Sequence, residues 1–162
     1  MHQSQARASV MEINRATHAT IVIERSFPVS PERVFVAFSD PAKKRRWFAE
    51  GEGFKIDSYE MDFRVGGREI TRMHFSDFPA CTNDTHFLVI VPNHRIVLAY
   101  TMTMNGQAFS SSQATIEFVA SQNGTTLFFT EQAAFFEKAD GPKMREDGWR
   151  QLLDALAKEL AG

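Results

Sequence analysis

The C-terminal stretch from Asp140 to Leu160 places the strongest constraint on the fold of this chain. Its apolar residues recur three and four positions apart, as they do along one side of an α-helix. They are Trp149, Leu152, Leu153, Leu156 and Leu160. Asp140 is placed to cap this helix, and Pro142 is tolerated in its first turn, where the missing N–H needs no partner. A helix of this length spans about 30 Å, so it needs an equally long apolar surface to pack on.

The middle of the chain has the pattern of consecutive β-strands that could supply this surface. We place the strands near residues 54–63, 68–75, 85–91, 95–104, 110–120 and 125–134. Turn sequences separate them, and Asn105-Gly106 and Asn123-Gly124 are the clearest because both residues of an Asn-Gly pair tolerate positive φ. No helix-like segment intervenes, so the strands are predicted to form an antiparallel meander.

One more strand and two short helices precede the meander. Residues 19–27 alternate as a strand, and one of its sides is expected to carry Ile21, Ile23, Arg25 and Phe27. Ser30-Pro31-Glu32 is a helix-start sequence, and Asp40-Pro41 is expected to begin a second helix that continues through Arg46.

The predicted fold class is therefore α+β. A curved seven-stranded antiparallel sheet wraps around a long C-terminal helix, with two short helices after the first strand. Residues 1–17 are expected to form an N-terminal tail, and residues 18–162 a single domain.

Composition and charge exclude several classes of function. The net charge of −2 and the pI of about 6.2 disfavour nucleic-acid binding, which depends on excess positive charge. The lone Cys81, read as part of a polar turn, excludes an internal disulfide and a cysteine-cluster metal site. His74 and His86 lack an obvious third ligand, so we expect no metal and no cofactor. No segment is apolar enough to insert into a membrane, and the first residues do not resemble a secretion signal, so a cytoplasmic location is expected.

Several motifs together carry a family resemblance. They are Asp62-Phe-Arg-Val-Gly-Gly-Arg68, Pro92-Asn-His-Arg-Ile-Val-Leu-Ala-Tyr100, Gly124-Thr-Thr-Leu-Phe-Phe-Thr-Glu131 and Gly148-Trp149 with Leu152-Leu153, together with Pro31, Val34 and Trp47. From Ala19 to Leu160 the chain resembles the activator of heat-shock protein 90 ATPase homology family. This family belongs to the START/Bet v 1-like (SRPBCC) helix-grip superfamily.

The resemblance implies a helix-grip (Bet v 1-like) fold with a hydrophobic pocket between the sheet and the long helix. Relatives bind lipids, hormones or polyketides, some catalyse cyclisation or dehydration, and others assist chaperones. This chain departs from the common pattern at two positions. Glu131 stands where the last strand often carries a histidine, and Glu69 stands where an aromatic residue often follows the two glycines.

The alternation of side chains along each strand, combined with this resemblance, predicts which residues face the pocket. The candidate ligand-binding residues are Arg25, Trp47, Leu98, Tyr100, Met102, Ile116, Phe118, Leu127, Phe129, Glu131, Trp149, Leu153 and Leu156. A mostly apolar wall with a few polar groups is typical of small-molecule sites. The alternative is that these residues pack together as an ordinary core.

Arg25 and Glu131 form the sharpest predicted pair, because both fall on inward-facing positions of adjacent strands. A carboxylate in an apolar interior must be paired or protonated. The pair either stabilises the sheet as a buried salt bridge or serves as a polar anchor or acid–base group for a ligand. Glu69 offers a weaker version of the same choice, and the serines 110–112 are interpreted as polar strand-edge residues.

Three functions are consistent with the sequence. The first is a non-catalytic protein that binds a small apolar ligand between sheet and helix. The second is an enzyme of the cyclase or dehydratase type, with Glu131 as its acid–base group and Tyr100 as a hydroxyl donor. The third is a chaperone-associated, ATPase-activator-like interaction protein that uses its outer surface. Exposed sheet edges also allow a homodimer, and the ligand's identity is not encoded in any motif.

Overall fold

The computed structural model describes residues 15–51, 53–75, 79–137 and 139–162. Most of the predicted N-terminal tail therefore lies outside the described residues. Seven strands form one antiparallel sheet; they are β1 (Thr17–Phe27), β2 (Lys55–Met61), β3 (Arg68–His74), β4 (Cys81–Val91), β5 (Arg95–Met104), β6 (Gln107–Ser121) and β7 (Gly124–Phe135). The spatial order is β1-β7-β6-β5-β4-β3-β2, so the first and last strands are neighbours. This confirms the predicted α+β class and the meander.

The helices also occur where the sequence predicts them. Helix α1 (Pro31–Ser39) is capped by Ser30, and α2 (Pro41–Lys44) is capped by Asp40, whose side chain accepts hydrogen bonds from two backbone N–H groups. Helix α2 continues into a π-helical turn, Arg45–Ala49, which the sequence analysis did not anticipate. The long helix α3 spans Pro142–Ala161.

The predicted cap of α3 is wrong. Gly141 occupies the N-cap position with a φ of 86°, a backbone conformation that favours glycine. Asp140 instead accepts hydrogen bonds from the guanidinium of Arg145. Arg145 is buried, and a buried guanidinium needs a carboxylate partner.

Strand β4 begins earlier than predicted and contains Cys81, which the sequence pattern predicts to lie in a turn. Cys81 pairs with Met73 on β3 and Met104 on β5, and its side chain is buried. Burial raises the pKa of the Cys81 thiol. A buried, protonated thiol is a poor nucleophile.

The core lies between the inner face of the sheet and the apolar side of α3. Trp149, Leu153, Leu156 and Leu160 are buried there, and Leu152 is half-buried. Helix α3 packs mainly against β1, α1 and the π-helical turn. In the part of the chain that the structure describes, no helix has the length and apolarity needed to cross a membrane.

Candidate functional site

A cluster of polar side chains surrounds Glu131 in an otherwise apolar interior. Glu131 is fully buried, and four donors converge on its carboxylate. Tyr100 Oη lies 2.6 Å and Trp149 Nε1 3.1 Å from Oε1. Ser112 Oγ lies 3.2 Å and Arg145 Nη1 3.5 Å from Oε2. The prediction that Glu131 must be paired or protonated is thus met by a full set of donors.

Arg145 links the first turn of α3 to the sheet. Its Nε and Nη2 donate to the two carboxylate oxygens of Asp140 at 2.9 and 3.0 Å. Its Nη2 also donates to Ser110 Oγ at 2.8 Å, and its Nη1 donates to Tyr100 Oη at 2.9 Å. Tyr100 then donates onward to Glu131, so the three groups form one chain of hydrogen bonds.

Sequence analysis missed Arg145, although a signal was present. Arg145 lies four residues before Trp149, so it extends the buried side of α3 by one turn. The serines were also misinterpreted. Ser110 and Ser112 are buried on β6, in the interior of the sheet. The hydroxyl of Ser110 accepts a hydrogen bond from Arg145, and the hydroxyl of Ser112 donates one to Glu131.

The predicted Arg25–Glu131 pair is wrong. Although β1 and β7 are neighbours, their register places Arg25 opposite Leu127 and Glu131 opposite Ile21. Leu127 and Glu131 are four positions apart on β7, so Arg25 and Glu131 are offset by about 13 Å along the strands. Arg25 instead forms a salt bridge with Asp154 on α3. The side chain of Asp154 is largely exposed.

Burial determines the protonation of this cluster. It raises the pKa of Glu131, and the hydrogen bonds from Tyr100 and its neighbours only partly offset this effect. Burial and the adjacent carboxylate also raise the pKa of Tyr100, so its phenol stays protonated and can donate. The phenol of Tyr100 therefore donates its hydrogen bond to the buried carboxyl group of Glu131, and this hydrogen bond stabilises the folded state.

A second buried ion pair, between Lys44 and Glu69, lies closer to the β2 edge of the same inner face. Lys44 Nζ donates to both oxygens of Glu69, at 3.1 and 3.0 Å, and Tyr59 Oη donates to the same carboxylate at 2.5 Å. The side chains of Lys44 and Glu69 are only 4% and 2% exposed. Lys44 Nζ also lies 4.3 Å from the ring centroid of Phe48. Glu69 thus anchors α2 to β3.

The two clusters lie along two adjacent rows of mostly polar side chains on the inner face of the sheet. The strand registers define the first row as Tyr59, Thr71, Asn83, Met102 and Ser110, and the second row as Met61, Glu69, Thr85, Tyr100 and Ser112. Rows on one face lie about 7 Å apart. We refer to the two rows together as the polar belt.

Beyond the belt, toward one end of the strands, lies an apolar row. It consists of Ile56, Met73, Cys81 and Met104, which are aligned by the same registers. Ile56, Met73 and Met104 are half-buried, as is Met102 in the adjoining belt. We refer to Met73, Met102 and Met104 as the methionine mouth.

Most of the predicted ligand-binding residues lie in the hydrophobic core. Leu98, Ile116, Phe118, Leu127, Phe129, Leu153 and Leu156 are at most 5% exposed. Trp47 packs edge-on against Phe38 with 4.9 Å between ring centroids, and its Nε1 donates to the backbone of Ala37. Trp149 packs on Phe129 at 4.4 Å. A role of these residues in ligand contact stays a prediction.

Two clefts among the described residues are open surface grooves. One, of about 660 Å³, lies on the outer face of the sheet beside Thr20, Gln113 and Gln132. The other borders the turn between β2 and β3. Within the described ranges, no three His, Cys, Asp or Glu side chains converge as metal ligands, and His74 hydrogen bonds to Asp57 instead.

A seven-stranded antiparallel sheet that grips a long C-terminal helix, with two short helices after the first strand, defines the helix-grip (SRPBCC) fold. A family model agrees with this assignment. Residues 28–161 match the model of the Activator of Hsp90 ATPase homolog 1-like protein family. The chain belongs to this family.

Solved structures support the same assignment. A protein from Rhizobium loti is 46% identical, with a TM-score of 0.82, and the match covers 89% of this chain and 98% of that one. A protein from Rhizobium leguminosarum is 38% identical, with a TM-score of 0.87 and coverage of 92% and 98%. An AHSA1-like protein from Aeromonas hydrophila, at 22% identity and a TM-score of 0.65, covers 88% and 92% and shares the fold. No functionally curated protein matches.

Proposed function

We propose that this protein binds a small, largely apolar molecule between the inner face of the sheet and α3, and that the molecule enters over the methionine mouth. The observation that carries the proposal is the juxtaposition of half-exposed methionines with a buried polar belt on β2–β6. Helix α3 has its closest backbone contacts with β1, α1 and the π-helical turn, and its first turn reaches β5 and β6 through Arg145. Because the methionine mouth is only half-buried, a guest reaches the belt from this end of the strands.

The chemistry of this surface suits a small-molecule site. Such sites are mostly apolar, and a few polar groups set the orientation of the ligand. Methionine has three rotatable bonds and a polarisable sulfur, so its side chain repacks easily around guests of different shape. The mouth can thus adapt, while the hydrogen-bonded clusters around Glu131 and Glu69 hold the sheet and helices in place.

Binding without catalysis is the better supported alternative. Tyr100 and Glu131 are the candidate acid–base pair, and they donate and accept within one closed cluster. The N–H groups of Arg145 are also directed at protein acceptors. A catalytic pair must present a proton donor or acceptor to substrate. These groups are occupied in stabilising the fold, which supports binding over cyclase or dehydratase chemistry.

The proposal is tested by filling the mouth with a larger side chain. The probe is prodan, an uncharged fluorescent naphthyl ketone whose emission shifts in apolar surroundings. Met73→Trp places an indole in the mouth and is expected to reduce prodan affinity at least about ten-fold, since it occupies the volume that the probe needs. Arg72→Trp is the matched control, because it adds the same ring to the same strand at an exposed position.

Thermal melting is recorded for both variants to confirm that they are folded. The proposal is supported if Met73→Trp loses binding while Arg72→Trp retains it. Equal affinity in the two variants would place the probe elsewhere, and a lack of prodan binding by the wild type would contradict the proposal. Native mass spectrometry of freshly purified protein then reveals whether a molecule of the cell is retained at the same site.

A further inference from the structure

Thr71, in the middle of β3, has a buried hydroxyl without a protein partner. The residue is 0% exposed, and its Oγ1 makes no hydrogen bond to any described residue. Burying a hydroxyl without a partner costs free energy, and native structures rarely do so. The position therefore calls for a specific explanation.

Other buried threonines on the inner face do not share this feature. Thr85 Oγ1 donates to Asn83 Oδ1 at 2.9 Å, and Thr125 Oγ1 donates to the backbone carbonyl of Val29 at 2.8 Å. Thr71 thus differs from the threonines of similar burial on β4 and β7. The same site could have been filled by valine, which has the same shape and no unsatisfied group.

The location of Thr71 connects the belt to the mouth. Its register partners are Tyr59 on β2 and Asn83 on β4, both in the first row of the belt. Met73 is two residues further along the same face of β3. A molecule that enters over the methionine mouth therefore reaches the Thr71 hydroxyl before any other group of β3 in the belt.

The buried cations on the inner face of the sheet are already paired within the protein. Lys44 is paired with Glu69, and Arg145 is paired with Asp140 and Glu131. A ligand carboxylate would meet two buried carboxylates and no free buried cation among the described residues. A ligand ammonium would find both glutamates already occupied by donors. An uncharged hydrogen-bonding group meets neither penalty.

We propose that Thr71 Oγ1 is the polar anchor of the ligand site, and that it binds an uncharged hydroxyl or carbonyl group on an otherwise apolar molecule. This inference rests on the proposed binding function and specifies its ligand class. The hydroxyl group of Thr71 can donate to a ligand carbonyl or accept from a ligand hydroxyl. Aliphatic or aromatic alcohols and ketones fit this chemistry, whereas fatty-acid anions do not.

The test compares Thr71→Val with Thr125→Val by using prodan and an analogue in which a methylene group replaces the carbonyl. Without probe, Thr71→Val is expected to raise Tm by about 3 °C, since it removes an unsatisfied buried hydroxyl. The same variant should bind prodan about five-fold more weakly, because one hydrogen bond is lost. Its affinity for the analogue should be unchanged. Thr71→Ser should restore prodan affinity.

Thr125→Val is the matched control, since it removes a hydroxyl that has a partner. It should lower Tm and leave prodan affinity unchanged. The inference is overturned if Thr71→Val binds prodan as tightly as the wild type does, because the hydroxyl then has no role in the ligand; the proposed binding function would survive that result. A wild type that binds neither probe would instead overturn the binding function, and this inference with it.

Discussion

At the scale of single residues, the interior is unusual in holding four acidic or basic side chains among the residues that the structure describes, Lys44, Glu69, Glu131 and Arg145. Each makes several hydrogen bonds, which is the condition under which buried charge is tolerated. Glu131 could be identified from sequence because it falls on the inward side of an alternating strand. Its partner could not, because parity identifies a face but not the register that decides which residues meet. The pairing with Arg145 depends on where the first turn of α3 crosses β5–β7.

The raised pKa of Glu131 predicts a particular pH dependence. The folded state holds this proton more tightly than the unfolded chain, whose carboxyl titrates near 4.5. The resulting stabilisation is fully present below that pH and is lost as the pH rises through the folded-state pKa. Compared with Glu131→Gln, the wild type should therefore lose stability as the pH rises above about 4.5.

Urea unfolding of both proteins at several pH values measures this difference. Glutamine retains a carbonyl acceptor for Tyr100 and Trp149, so the variant keeps part of the cluster. A stability difference that grows in favour of the wild type with rising pH would mean that the surrounding donors outweigh burial, and the direction of the pKa shift would be wrong.

At the scale of elements, two buried ion pairs hold helical segments onto the sheet. Lys44 attaches α2 and the π-helical turn to β3, and Arg145 attaches α3 to β5, β6 and β7. The elements themselves were predictable, because periodicity, Ser-Pro and Asp-Pro starts and Asn-Gly turns are local signals. Strand β4 was predicted to begin too late because Cys81 and Asn83 look like turn residues until β3 and β5 pair with them.

The attachment of α2 can be tested with a double-mutant cycle. Lys44→Met keeps most of the aliphatic stem against Phe48 but leaves Glu69 as a buried carboxylate without its cation. The expected loss is about 3 kcal/mol in the free energy of unfolding. Adding Glu69→Gln should restore part of this loss, because the uncompensated charge is removed.

Chemical denaturation of the wild type, both single variants and the double variant completes the cycle. Independent, additive effects of the two substitutions would show that Lys44 and Glu69 do not interact in the folded protein. The exposed pair Arg150–Glu146 on α3 serves as a control cycle, in which little coupling is expected.

At the scale of the whole molecule, the sheet and α3 bury a common core, and the inner face is divided into apolar, polar and methionine-lined regions. The helix-grip architecture followed from the order of the elements and from the family resemblance. The division of the inner face into these regions could not be predicted in the same way, because it depends on how the side chains of five strands align. Arg25 illustrates the difference: its inward parity was correct, but its position along β1 places it beside Asp154.

The central claim is that a guest enters over the methionine mouth, and methyl NMR of the methionines tests it most directly. With carbon-13 in the methionine methyl groups, titration with prodan should shift the signals of Met73, Met102 and Met104. The signal of Met144, which is 64% exposed on α3, is the internal control and should not move. Shifts confined to the mouth are the predicted result. Unchanged mouth signals while prodan binds, or equal shifts at Met144, would contradict the account.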